Sequence, residues 1–283
     1  MIKRVTLPEK IVLYLMLTAL SLLMVSPFIY MISVALASDT TTVQLAFTFL
    51  PHEFAWSNFA RVFTEANLGL YLWNSIKIVT LGIIGQVFAS SLVAYGFARL
   101  RAPGREILFL VLLSTMMIPG EVTMIPQFVL YRYLRWINTH LPLIVPAFFG
   151  GAYNIFLIRQ FITRIPTELD EAAKIDGLNP LGVYAWIILP LIKPVLAAVA
   201  IFTFSWTWGW FMGPLIYIND RAKIPLALAV QILSATQNAG APPRWNLVMV
   251  GSLMLTVPML IVFTLGQRYV FEISLTGGSS AIK

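Results

Sequence analysis

Six stretches of roughly twenty mainly apolar residues, each closed by charge or proline, run through this chain at about 11–32, 73–98, 107–130, 141–161, 183–204 and 247–265. A segment of that length and character matches the apolar thickness of a bilayer when it is coiled as a helix. Composition agrees: 59% of the residues are hydrophobic and 11% charged, where soluble domains carry about a quarter charged residues. The expected fold is therefore a single all-α membrane domain over residues 1–283, built on six transmembrane helices. The first stretch follows Lys3, Arg4 and Lys10 as a signal peptide would, but its apolar core is longer than the usual 7–15 residues, so an uncleaved span is expected. No soluble domain, low-complexity tract or internal repeat stands out.

The formal charge of +7 raises the question of nucleic acid, yet no basic run or aromatic-basic platform accompanies it. Basic residues flanking cytoplasmic span ends explain the excess. With the N-terminus inside, Lys3, Arg4, Lys10, Arg99, Arg101, Arg105, Arg159, Arg164, Lys174, Lys193, Arg268 and Lys283 fall on the cytoplasmic side, twelve of the nineteen. The expected topology is N-in and C-in, with long external connections at about 38–72 and 211–246.

Against this apolar background, residues 165–182 form a polar interruption between the fourth and fifth stretches. Thr167 and Asp170 have capping-box spacing after Pro166, and Asp170 and Lys174 stand four apart with the acid first, the favourable order. Gly177 sits where a helix ends in the left-handed conformation, and Asn179-Pro180 reads as an N-cap followed by proline at the first helical position. Helix, sharp turn, helix is predicted. The first helix would span about ten residues, marginal in isolation, so a docking surface should hold it. Leu169, Ala172, Ala173 and Asp176 share one face, and Glu168, Glu171 and Ile175 another. The bland alternative is a loop helix packed on its own bundle.

Within the third stretch, Glu121 follows Pro119-Gly120, a pair expected to break or bend the helix. An intramembrane carboxylate is a pathway candidate, with an interfacial glutamate as the competing reading. Trp206, Trp208 and Trp210 close the fifth stretch, where tryptophans usually form an interfacial belt and where flat rings also suit sugar faces. Gly209 and Gly213 have G-x-x-x-G spacing, weakened by Pro214. The two histidines, His52 and His140, lack ligand spacing, so no metal site is expected, and the chain has no cysteine. No Gly-Lys dipeptide occurs, so a phosphate loop of the G-x-x-x-x-G-K-[ST] kind is absent.

"EAAKIDGLNPLGVYAWIILPLIKP", from Glu171 to Pro194, resembles the EAA motif of the membrane subunits of ABC importers. Its Ile-Asp-Gly form and second proline are similar to the carbohydrate-type permeases, in the branch of the maltose second permease and the glycerol-phosphate permease. "NSIKIV", "YGFARLRAPGR", "MMIPGEVTMIPQFVL", "FLIRQFI", "GPLIYI" and "QRY" resemble that family in matching order. The stretch Trp208-Gly209-Trp210-Phe211 departs from the family's Trp-Asn-acid-Phe, and the C-terminal tail also differs, while keeping Leu275, Thr276 and Gly277.

The resemblance implies a binding-protein-dependent permease subunit in the bacterial inner membrane. Its cytoplasmic coupling helix would dock on an ATPase, through Glu168, Glu171, Ala172, Ala173, Asp176, Gly177 and Pro190. Implied partners are a second homologous permease, two cytoplasmic ATPase subunits that use ATP and Mg, and an external solute-binding protein, with no cofactor on this chain and no nucleic acid. Candidate pathway residues are Glu121, Trp206, Trp208 and Tyr217. Rival readings are a permease for a polyamine or phosphorylated polyol and, in other classes, a polytopic membrane enzyme or a scaffold. An enzyme should place acid pairs or histidines on facing helices, and the sequence shows none.

Overall fold

The structure, a computed structural model, describes residues 7–39, 54–235 and 244–278, with side chains to Tyr269. Lys3, Arg4, His52 and Lys283 lie outside the described residues, as do the side chains of Leu275 and Thr276. Every regular element among the described residues is helical. The principal helices are α1 Leu7–Ala35, α2 Asn58–Thr64, α3 Leu68–Arg99, α4 Arg105–Ser114, α5 Gly120–Tyr133, α6 Ala152–Ile162, α7 Glu168–Ile175, α8 Lys193–Trp208, α9 Met212–Tyr217, α10 Leu226–Ala235 and α11 Trp245–Gly278.

Among the described residues, four segments are long and apolar enough to cross a membrane: Leu7–Ala35, Leu68–Arg99, Leu141–Ile162 and Trp245–Tyr269. Two bent pairs raise the number to six if each pair crosses once. One bends by 101° between Met117 and Gly120, at the Pro119 break expected from sequence. The other differs from the unbroken 183–204 span that the sequence predicts: Pro180–Leu191 meets Lys193–Trp208 at 77°. Pro190 and Pro194 explain it, since neither ring nitrogen can donate to the carbonyl four residues earlier. Ile192, with φ −92° and ψ 5°, takes the bend. The preceding residues Val183–Ile188 form a π-helix. The Leu141–Ile162 segment is also interrupted between a 3₁₀ turn and α6, by Gly150 at φ +77° followed by extended backbone at Gly151.

The chain forms two compact units. One combines Met1–Gly69 with Val230–Thr256. Its polar centre is Asn58, whose amide donates to the carbonyls of Ala35 and Ala37, both at 2.9 Å. Asn246 reaches Asp39 at 2.7 Å. Arg61 bridges Asp39 and Glu65 at 3.0 and 2.7 Å, and Arg244 reaches Glu65 at 2.7 Å. The Arg61 guanidinium holds the carboxyls of Asp39 and Glu65 below their usual range.

The other unit combines Leu70–Ala229 with Val257–Lys283. Its core gathers Ala94 and Tyr95 of α3, Ile155, Ile158 and Ile162 of α6, Ala173 of α7, the π-helical Val183, Tyr184 and Ile188, and Ile192, Val195 and Val199. Lipid is as apolar as these side chains, so their close packing, more than escape from water, holds the helices together. The polar loop 165–182 is thus rooted in this core through Ala173. At the opposite end of α5, Asn138, at φ 63°, accepts from the amides of Asn219 and Asp220, while Asn74 donates to the carbonyls of Ala222 and Ile224.

Candidate coupling helix and translocation cavities

Helix α7 is eight residues long, shorter than the ten expected. Thr167 does not cap it with its side chain: its backbone is helical (φ −72°, ψ −19°), and its carbonyl accepts from the amides of Asp170 and Glu171 at 3.0 and 3.1 Å. The capping box predicted from Thr167 and Asp170 is therefore not formed. Glu168, Asp170 and Glu171 in the first turn and Lys174 in the last complement the helix dipole. At the other end the expectation holds. Gly177 has φ +89°, its amide donates to Lys174, and the amide of Leu178 reaches back to Ala173 at 2.9 Å, closing a left-handed C-terminal cap. Asn179 then caps the following turn by accepting from the Gly182 amide at 2.7 Å, with Pro180 at the first position.

Asp170 does not pair with Lys174 either. Its carboxylate lies 2.8 Å from Nε of Arg99, with side chains 8% and 7% exposed. Arg99 also donates to the Ile165 carbonyl at 2.6 Å. One turn earlier on α3, Tyr95 donates to the Pro180 carbonyl at 3.0 Å, and one turn earlier again Ser91 shares a 2.7 Å hydrogen bond with Tyr184. Ser91, Tyr95 and Arg99 stand four residues apart and so form one stripe along α3. This ladder binds both arms of the loop to a single helix. Nearby, Arg159 bonds both oxygens of Glu106 and lies 3.9 Å over the Phe109 ring. Sequence marks Arg99 only as a cytoplasmic flank and Asp170 only as a capping residue and partner of Lys174; their place in this ladder is not read there, although polar side chains at four-residue intervals in an apolar span are a visible signal.

The two faces read from sequence are divided differently. Ala173 is 4% exposed within the core, so it packs the loop onto its own unit and does not join Ala172 on an outward face. Glu168, Leu169, Glu171, Ala172, Ile175 and Asp176 are exposed, Ile175 at 87%. The outward face of α7 therefore carries the apolar Leu169 and Ile175 among the carboxylates of Glu168, Glu171 and Asp176. Pro190, also exposed, lies beyond the π-helix, next to the 77° bend.

Three of the four candidate pathway residues share a cavity of about 400 Å³: Glu121, Trp206 and Tyr217 line it with Thr123, Gln127 and Trp210. Tyr217 packs edge-on against Tyr131 and donates to Gln127 at 3.4 Å. Trp208 is excluded from this group. It is 5% exposed and stacked on Phe204 at 5.2 Å, so it packs inside the unit and is not part of an exposed belt. Gly213 leaves room for a ring rather than a helix: a Cβ there would collide with the Trp210 indole. A second cavity, of about 640 Å³, adjoins Trp206 and Thr207 from the side of Gln86, Tyr153, Asn154 and Phe202.

His140 bonds the Lys223 carbonyl at 2.7 Å, and burial pushes its pKa below the ordinary value. No group of three or more acidic or histidine residues able to hold a metal ion occurs among the described residues.

Residues 86–271, which include the loop, the ladder and both cavities, match the model of the binding-protein-dependent transport system inner membrane component family. The lactose transport system permease protein LacG of Rhizobium radiobacter is 32% identical over 262 residues, covering 93% of each chain. The arabinooligosaccharides transport system permease protein AraQ of Halalkalibacterium halodurans is 34% identical over 263 residues, covering 90% of each. The fold matches a chain of a bacterial ABC transporter involved in the import of the acidic polysaccharide alginate, with a TM-score of 0.82 at 23% identity over 95% of this chain and 99% of that one. The chain is a multi-pass inner-membrane protein, and it belongs to the family of binding-protein-dependent transport system inner membrane components.

Proposed function

We propose that this permease subunit of an ABC importer carries a sugar or related carbohydrate, lining half of the pathway while α7 couples it to a cytoplasmic ATPase. The observation that carries this reading is the loop 165–182: a short helix fastened to α3 by a buried polar ladder, presenting an exposed face of carboxylates and Ile175. Fastened on one side and without a partner among the described residues on the other, it is suited to receive force. The similarity to lactose and arabinooligosaccharide permeases supports carbohydrate over a polyamine, and the similarity to sn-glycerol-3-phosphate permeases keeps a phosphorylated polyol as the alternative solute.

In this reading the whole of 1–283 is one transmembrane domain. Each bent pair crosses once, giving six spans, and both termini are cytoplasmic. A second permease completes the pathway, two ATPase subunits supply ATP hydrolysis with Mg, and a binding protein delivers solute outside. Closure of the ATPases moves the two coupling helices together, and the bend at Ile192 passes that motion to α8, which carries Trp206. Glu121 and Tyr217 stay on other segments, so the cavity between them changes shape.

The test is co-purification with the ATPase and uptake in vesicles. Glu171→Lys reverses charge on the exposed face and should leave membrane levels normal while ATPase capture and uptake fall. Full capture and full uptake in both Glu171→Lys and Ile175→Asp would return α7 to a packed loop helix.

A further inference from the structure

The two cavities meet at two adjacent residues. Trp206, 82% exposed on α8, and the adjacent Thr207 line both, so an indole ring stands between a space of about 400 Å³ and one of about 640 Å³. Each space lies in the size range of small-ligand sites. Each also carries the mixture that a sugar ring needs, flat apolar surface beside planar groups that accept or donate hydrogen bonds. The first offers the Glu121 carboxylate and the Gln127 amide beside Trp210. The second offers Gln86 and Asn154 beside Tyr153 and Phe202, whose rings are 6.2 Å apart.

The Gln86 amide is oriented: its nitrogen donates to Ser90 Oγ at 2.9 Å, which leaves its carbonyl oxygen to accept from a ligand. Space at this point is close-fitted, since a Cβ at Gly151 would stand 2.9 Å from that amide nitrogen. A site for a single ring would need one such group. Here there are two, one offering a carboxylate and an amide and the other two amides, and they share the Trp206 indole.

We propose that this chain contacts its solute directly and that the solute is a saccharide of at least two rings, one in each cavity, bridged across Trp206. The proposal rests on the carbohydrate reading above and narrows it. A carboxylate accepting hydroxyl protons in the first cavity and amides that both donate and accept in the second select a polyhydroxylated ligand over a hydrocarbon. The shared indole favours a linked pair of rings over two separate monosaccharides.

The experiment uses the assembled transporter, with its second permease, ATPases and binding protein, in proteoliposomes. The probes are radiolabelled galactose, arabinose, lactose, arabinotriose and maltotriose. Wild type should carry one or more of the multi-ring probes and neither monosaccharide. Trp206→Ala should lower the uptake rate at saturating binding protein by about tenfold, the scale of one lost specific contact, and Trp206→Phe should recover part of it. Gln86→Ala and Glu121→Gln should each reduce uptake of the longest accepted probe more than that of the shortest. ATPase co-purification should stay unchanged throughout, which separates contact from folding. Uptake within twofold of wild type in both Trp206→Ala and Gln86→Ala would overturn the proposal, because the cavities would then be filled by the partner permease. Uptake of monosaccharides alone would also overturn it, whereas uptake of no carbohydrate would defeat the carbohydrate reading itself.

Discussion

Arg99 and Asp170 are joined at 2.8 Å although one closes a 32-residue membrane helix and the other opens an eight-residue loop helix. A buried pair like this costs desolvation on both sides, and removing one partner strands the other charge at a cost of about 3–5 kcal/mol. Asp170→Asn and Arg99→Ala should each lower the thermal midpoint of the detergent-solubilised complex and uncouple ATP hydrolysis from uptake. The exchange Arg99→Asp with Asp170→Arg should recover part of both losses. A double-mutant cycle in which the two single changes simply add would remove the ladder from the coupling route.

Gly177, at φ +89°, has no neighbouring atom within 4 Å of where a Cβ would stand. The cost of substitution is therefore backbone strain alone. Gly177→Val should cost about 1–2 kcal/mol and reorient the arm that follows, while Gly177→Asn should cost less. Loss of uptake with normal membrane levels in the valine variant, and near-normal uptake in the asparagine variant, is the expected pattern. Equal activity in all three proteins would show that the turn tolerates another shape.

The native chain has no cysteine, so single cysteines report topology without background. Lys174→Cys should be labelled by an impermeant maleimide only in inside-out vesicles, and Asp220→Cys only from the outside of cells. Labelling of position 174 from outside would reverse the orientation proposed for every span.

His140 supplies a pH dependence. Burial disfavours its charged form, so its pKa lies below the ordinary value of 6.5. Its contribution to stability is complete above about pH 6.5 and is lost as the pH falls through the lowered folded-state value, because the unfolded chain then binds the extra proton. His140→Gln should flatten the decline of the thermal midpoint on that acid side. An unchanged slope in the variant would place the acid sensitivity elsewhere, for example at Asp220, whose carboxyl is held low by the Ala222 amide.

Much of the fold was legible because it is written in local chemistry. The apolar stretches, the Pro119-Gly120 break, the positive φ of Gly177 and the Asn179 cap all depend on a few neighbouring residues. The misreadings share a different cause. Thr167 and Asp170 have capping spacing, but Asp170 is claimed by Arg99, a partner 71 positions away that no local rule can see. Ala172 and Ala173 are identical neighbours, yet a rotation of about 100° per residue sends one outward and the other into the core. Trp208 is drawn into packing on Phe204 by the same rotation that exposes Trp206. The bend at Ile192 was available in principle from Pro190 and Pro194, whose four-residue spacing removes two donors in succession.

The π-helical turn at Val183–Ile188 has a consequence for how such a chain varies. A π turn holds one residue more than an α turn, so it behaves as a single-residue insertion absorbed without breaking the helix. Deleting the exposed Ala185 would let the turn close to ordinary winding with the downstream residues near their present phase, whereas the same deletion in an α-helical segment would rotate them by about 100°. Trp206 would keep its clock position relative to the anchored ladder. The wide turn thus separates chain length from the angular phase between the loop that is fastened and the indole that is displayed, and it is the place in this arm where a length change of one residue should be tolerated best.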